Sequence, residues 1–428
     1  MIRKIRNLLY EAYYRIVSSI AFIPSIISIT FFILGILSLW LFDSKLNEIL
    51  DERVPEIIID NADTARAILA SFIGGIISLT SISFSVVMLL LSQASANFSP
   101  RLLPALISDT RNQIVLGFFL GSIIFMVIVF ISIVPSDGNS TSSGFSVFLS
   151  ICFGMLSIGI FVYFVHHMSV SIQIDEILNK VYNDAKDRLE KRLESQQELS
   201  PLDTKGWKSI DRKEGGYYQG VNLQGMLKIM DRYEINIKIV PFKGDYTYPN
   251  SEVLKVDKDL NNEQKEMIMN NLIFSNSNEA SENYVLGIKQ ITEVGVKAMS
   301  PAINDPGTAI VSINYITHLL ELRMRLDDHE VYKTDNGKYK IELRILDFET
   351  IMYESFAEYR IYCNHDYTVM RKISEMFSYL INREMKMEHY KDVIVTQIEL
   401  FKNAMDKGIE EDKDRSRLNK YLPNQMRA

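Results

Sequence analysis

Residues Ala67–Ala96 read AILASFIGGIISLTSISFSVVMLLLSQASA, thirty consecutive positions without an Asp, Glu, Lys or Arg. Hydrocarbon offers a peptide backbone no hydrogen-bond partner. A chain therefore crosses a core of about 30 Å as a helix of roughly 20 apolar residues that satisfies its own N–H and C=O groups. The run predicts such a helix. Fully helical, it would reach about 45 Å, so it tilts, kinks or continues beyond the membrane.

Working outward, three more stretches meet the same requirement: Ile16–Phe42, Ile114–Val134 and Phe145–Val165. The first is too long for a cleavable signal peptide, contains Pro24, and runs into an acidic loop where small residues would be expected. Basic residues near the spans set orientation. Arg3, Lys4, Arg6 and Arg15 precede the first span, seven acidic residues from Asp43 to Asp63 follow it, and Arg101 and Arg111 separate the second span from the third. Alternating sides puts both termini inside and the acidic first loop outside.

The second span is rich in hydroxyls. Ser71, Ser78, Ser85 and Ser92 recur every seven residues, with Ser81 and the Gly74-Gly75 pair between them, a period that keeps them near one helix face. Small residues let two helices approach closely and bond across the contact. The same stripe can instead face water in an oligomeric pore, where hydroxyls give weak, reversible coordination. Both readings stand at the level of sequence. The spans hold no interior charged residue, which argues against a proton relay or ion-coupled transport site. After the stripe, Phe98, Pro100 and Arg101 open a segment suited to a short interfacial helix, which would form the inner mouth of any such path.

Charge returns after Gln173. Apolar positions from Ile174 to Leu193 at three- and four-residue spacings predict that the fourth span continues as a helix over 166–197. A linker is expected over 198–215, around Pro201, and a small mixed α/β module over 216–258. Within it Asn222 is placed to cap a helix, and Ile235, Ile237 and Ile239 alternate as a strand. Residues 259–428 read as mainly helical, with a hairpin turning at Asp335-Asn336-Gly337. The chain as a whole reads as an α-helical polytopic membrane protein: a four-helix transmembrane domain over 1–165, then a mostly helical cytosolic α+β domain.

One further segment stands out. A helix ending at Met299 is followed by Ser300-Pro301-Ala302-Ile303-Asn304-Asp305-Pro306-Gly307-Thr308 and a second helix, with Asp305 as N-cap and Pro306 at the first helical position. This is either a rigid corner or a ligand or partner site at Ser300, Asn304, Asp305 and Thr308, where free N–H groups of the second helix can receive an anion.

Three patches carry a family resemblance. They are Ser92-Gln93-Ala94-Ser95-Ala96-Asn97-Phe98-Ser99-Pro100-Arg101-Leu102-Leu103 with Leu116–Gly121 after it, the His166-His167 pair, and Leu286–Gln290 with Ala298–Pro306. In order and spacing the chain resembles a group of predicted bacterial membrane proteins known as unknown-function family 2254. The resemblance implies a four-span membrane domain with a cytosolic appendage; with the flanking charges, the expected place is a bacterial inner (cytoplasmic) membrane with both termini in the cytoplasm. It implies no particular activity.

The residues argue against several classes. There is no phosphate-binding glycine loop, dinucleotide fingerprint, His-Glu-x-x-His or nucleophile elbow, so no catalytic residue is assigned and the chain is not expected to be an enzyme. Six histidines and two cysteines show no metal-ligand spacing, and neither a metal nor a cofactor is expected. A net charge of −7 gives no electrostatic reason for nucleic-acid binding. What remains is a homo-oligomeric ion channel or conduit in the lipid bilayer, with the second span lining the path and the cytosolic domain regulating it. The alternative is a membrane-anchored sensor or scaffold whose cytosolic domain takes a small ligand or a cytosolic partner.

Overall fold

The computed structural model describes residues 19, 21–41, 59, 61–97, 110–133, 144–171, 173–196, 199–276 and 283–423. The expected inner-mouth residues Phe98, Pro100 and Arg101 lie outside the described residues. The chain divides into two compact units, Met1–Glu176 and Ile177–Ala428.

The first unit holds four helices long and apolar enough to cross a membrane: α1 (Phe22–Leu41), α2 (Ala62–Asn97), α3 (Thr110–Ser132) and α4 (Gly144–Ser171). α1 carries Pro24 in its first turn, where a missing N–H leaves no helical bond unmade. α2 begins five residues before the expected Ala67, because the Asn61 side chain accepts the Thr64 N–H at 2.9 Å and Asp63 complements the positive helix end. Its 36 residues span about 54 Å.

α1 packs mainly on α3 through a small-xxx-small contact. A Cβ on Gly117 would stand 2.9 Å from the Pro24 backbone, and one on Gly121 would stand 2.7 Å from the Phe31 ring. Phe31 in turn meets Phe118 edge-on and Phe153 at 5.0 Å between ring centres. The close approach depends on these glycines. Gly121→Leu should therefore destabilise the membrane unit by about 1–3 kcal/mol, read as a lower melting temperature in detergent. Gly74→Leu should leave the isolated protomer unchanged, because a Cβ there meets nothing within 4 Å. Equal melting points for the two variants would contradict this account.

The expected continuous helix from the fourth span to Gln197 is corrected. α4 ends at Ser171, Gln173 is not helical, and α5 (Ile174–Ser195) is a separate helix. Gln173 N–H donates to Val170 O and Glu176 N–H to Gln173 O, so the four-residue ladder is interrupted there. Asp175 and Glu176 then occupy a first turn, where negative charge is favourable.

The second unit combines two sheets with eight further helices among the described residues. Its elements are β1 (Lys208–Arg212), β2 (Gly216–Val221), α6 (Leu223–Tyr233), β3 (Ile237–Ile239), β4 (Tyr246–Thr247), β5 (Ser251–Val256), α7 (Asn262–Met269) and β6 (Leu272–Ser275). They continue with α8 (Tyr284–Ala298), α9 (Pro306–Arg323), β7 (Glu330–Lys333), β8 (Lys340–Leu343), α10 (Phe348–Tyr362), α11 (Tyr367–Leu380), α12 (His389–Gly408) and α13 (Asp412–Asn419).

Asn222 caps α6 as expected, accepting the Gly225 N–H. The Asp335–Gly337 turn joins β7 and β8 in an antiparallel pair, with Gly337 at φ +73°. The five-stranded sheet runs β1-β5-β3-β8-β7, and β3 and β8 pair in parallel. Ile210, Leu254 and Ile239 form one buried row across it, and Val256, Ile237 and Ile341 another. Met226, Met230 and Ile268 belong to the same core.

Two expected boundaries change as a result. The linker over 198–215 contains β1, held because Ile210 is buried between polar neighbours. The module over 216–258 is not closed on itself, since β6 pairs with β2 and the β7–β8 hairpin completes the larger sheet. A second core of rings, Phe356, Phe377 and Phe401, joins α10, α11 and α12. Each such buried ring contributes about 1.5–3 kcal/mol.

Candidate functional site

α2 is the least covered of the four crossing helices. Over Ala62–Leu89 only 11% of positions are buried, against 44% over α3. Its buried side is Ala65, Leu69, Ile76 and Ser83, which turn into the unit. Ser71, Ser78, Ser81, Ser85 and Ser92 all lie on the exposed side. The stripe therefore does not serve as a seam between spans of one protomer: that role falls to Gly117 and Gly121 of α3, whose G-x-x-x-G spacing was the available sequence signal, and to Gly154 of α4 against Phe72. Exposed Ile77, Ile82, Phe84, Met88 and Leu89 flank the stripe.

Three hydroxyls on this face are satisfied locally. Ser71 donates to Ala67 O at 2.8 Å, Ser78 to Gly74 O at 2.9 Å and Ser85 to Ser81 O at 2.9 Å. Such back-bonding lets a serine sit in an apolar medium without an orphaned donor. Each oxygen keeps lone pairs that can accept from water or coordinate a cation. Gly74 and Gly75 have no heavy atom within 4 Å of where a Cβ would stand, so a second surface can approach the backbone closely there. At the Asp63 end, Ser71 and Gly75 border an open recess of about 840 Å³ shared with Phe72, Gly154 and Ile158. Its lining is mainly apolar, with Asp63, Thr64 and Ser71 as the polar residues.

In the second unit, the Ser300–Thr308 corner forms as the sequence suggests. α8 ends at Ala298 with Met299 as its C-cap, Asn304 adopts a left-handed conformation at φ +49°, and α9 starts at Pro306. Asp305 accepts the Thr308 hydroxyl at 2.6 Å and the Thr308 N–H at 3.2 Å. These bonds hold its carboxyl below the usual carboxylate range. The corner is thus an internally bonded cap: Asp305 already uses the helix N-terminus that an external anion would need. Asn304 is exposed, Ser300 is half-buried and Thr308 is buried.

The remaining chemistry-bearing groups are dispersed. Among the described residues no three His, Cys, Asp or Glu side chains gather closely enough to hold a metal. Cys152 and Cys363 are both free thiols. Burial, with Asp366 nearby, pushes the Cys363 thiol up to about 12, so it is a packing residue at neutral pH.

The family model described as "Predicted membrane protein (DUF2254)" matches residues 17–379. Curated relatives include an uncharacterized protein of Mycobacterium bovis and one of Mycobacterium tuberculosis. Each is 23% identical over 381 residues, covering 82% of this chain and 70% of the relative. No solved structure matches the chain.

Proposed function

Because the chain belongs to unknown-function family 2254, a family of predicted membrane proteins, and carries four membrane-crossing helices, we propose that it is a homo-oligomeric conduit for ions. In this reading α2 of each copy lines a shared path. The C-terminal unit lies in the cytoplasm of a bacterium, regulates that path and performs no catalysis. Both termini are cytoplasmic and the bilayer is the inner membrane.

One observation carries the proposal: the longest crossing helix is also the least covered, and its uncovered side bears a serine and glycine stripe. An uncovered helix facing only lipid gains nothing from seven-residue serine spacing. Between copies, Gly74 and Gly75 allow close approach, and the Ser71, Ser78 and Ser85 oxygens present acceptors to a hydrated ion. Four spans are too few to surround an aqueous path, so assembly is part of the proposal.

Cross-linking and flux test it together. In a Cys152→Ala, Cys363→Ala background, Ser78→Cys should give cross-linked oligomers in membranes, while Leu156→Cys on the exposed side of α4 should not. Liposomes containing the protein should pass potassium, and Ser78→Leu should reduce the flux. A monomer in ion-tight vesicles at high protein density would refute the proposal.

A further inference from the structure

A cavity of about 710 Å³ opens in the C-terminal unit. Cations reach its lining from separate parts of the chain. α5 contributes Arg188, Lys191 and Arg192, which fall on one helix face at i, i+3 and i+4. Lys243 comes from the turn after β3 and Arg344 from the end of β8. Glu330 is the one carboxylate on the described lining, and it is paired with Arg192 at 3.1 Å. Arg188 and Lys191 have no acidic partner among the described residues.

Five cations converge on one recess in a chain whose net charge is −7. Glu330 offsets Arg192, but Arg188 and Lys191 lack such a partner among the described residues, and the positive potential they leave in the recess attracts an anion. The acidic residues of the same helix, Asp175, Glu176, Asp184, Asp187, Glu190 and Glu194, are all absent from the lining. The N-terminus of α8, at Tyr284, adds the positive end of a helix dipole. The Tyr284 hydroxyl is buried without a hydrogen-bond partner.

The rest of the lining is apolar or open. Phe242, Val221 and Leu346 form part of the wall, and Arg344 lies over the Phe242 ring at 5.9 Å. Gly220 sits at φ +143°, where a side chain would be strained, and nothing stands within 4 Å of its Cβ position. The volume falls inside the range of about 300–1,000 Å³ typical of small-molecule sites. An inorganic phosphate would leave most of it empty.

We propose that this cavity binds a small organic anion bearing more than one phosphate charge, of about nucleotide size. Its phosphates lie against Arg188 and Lys191, and its apolar or aromatic part rests on Phe242. Arginine and lysine at this spacing suit phosphate oxygens, arginine by paired N–H donors and lysine as a point charge. The inference does not rest on the conduit reading, since binding is measured directly and not through flux.

Titration calorimetry on the full-length protein in detergent tests it, with ATP and pyrophosphate as probes. The salt should be about 0.1 M, where charges beyond about 10 Å are screened. ATP should bind saturably and more tightly than pyrophosphate, which lacks a part to rest on Phe242. Arg188→Ala with Lys191→Ala orphans no carboxylate, so the variant should keep the native melting point and weaken binding about tenfold or more. Lys228→Ala, exposed and outside the lining, should leave affinity unchanged. Adenosine should not bind. The proposal is overturned if ATP does not saturate or binds no more tightly than pyrophosphate, if adenosine binds as tightly as ATP, or if Lys228→Ala weakens binding as much as the pair.

Discussion

Gly295→Ala should destabilise the C-terminal unit by about 2–4 kcal/mol, although glycine to alanine inside a helix ordinarily stabilises by about 0.5–1 kcal/mol. Packing reverses the sign. Gly295 lies within α8 at its crossing with α9 and α10, and a Cβ there would fall well inside the contact distances of the Ser312 and Tyr359 hydroxyls. Both residues are fully buried, and their hydroxyls bond each other at 2.5 Å.

Ser312 also donates to Ala309 O at 2.8 Å, so neither group can swing aside without leaving a buried polar atom unpaired. Overpacking costs about 1–3 kcal/mol, and an orphaned buried hydroxyl adds about 1–3 more. Thermal unfolding should show a melting temperature lower by roughly 5–15 °C. Adding Ser312→Gly and Tyr359→Phe should recover part of the loss, because the three sites share one space. An unchanged melting temperature for Gly295→Ala would show that α8 and α9 do not cross this closely.

Arg323→Met should cost about 3–5 kcal/mol, the range for breaking a buried ion pair from one side. Arg323 ends α9, is fully buried, and binds four groups from three segments. Its guanidinium donates to Leu326 O and the Tyr390 hydroxyl, both at 3.3 Å, to Leu346 O at 3.1 Å, and to the Asp328 carboxylate. Burial works against its charge, but Tyr284, Tyr390 and Asp328 outweigh that and hold it cationic.

Asp328 also accepts the Phe348 N–H at 2.9 Å, so the arginine links the end of α9 to the start of α10 and, through Tyr390, to α12. Methionine fills comparable space but leaves Asp328 and two carbonyls without this donor. Lysine should fail almost as badly, because a point charge cannot reach four acceptors arranged for a planar fork. Protease resistance of the C-terminal unit reports the result. Resistance retained in Arg323→Met would mean that the network contributes little.

The two halves of the chain differ in how far they can be read without coordinates. The crossing helices were legible because lipid leaves the backbone a single solution, and an uncharged run such as Ala67–Ala96 announces it. Local chemistry was legible for the same kind of reason. Asn222 and Asp305 cap the helices they were expected to cap, and Asp335–Gly337 turns the expected hairpin, since the partners lie within a few residues. By contrast, Lys208–Arg212 read as linker and 166–197 as one helix. The first becomes a strand only when β5 lies beside it, and the second breaks at Gln173.

The sequence by itself determined that this is a four-span membrane protein with a mixed C-terminal unit, and it located the serine stripe on α2. Which way the stripe faces was beyond it. Helical periodicity shows that residues share a side, but which side is covered depends on neighbours distant in the chain. Tertiary structure turned Ser83 inward and left Ser78 outward, and gave the close helix contact to Gly117 and Gly121. It also gathered Arg188, Lys191, Lys243 and Arg344 around one cavity. Along the chain those cations are indistinguishable from ordinary solvated charges, because convergence is a property of the fold and leaves no periodic trace in sequence.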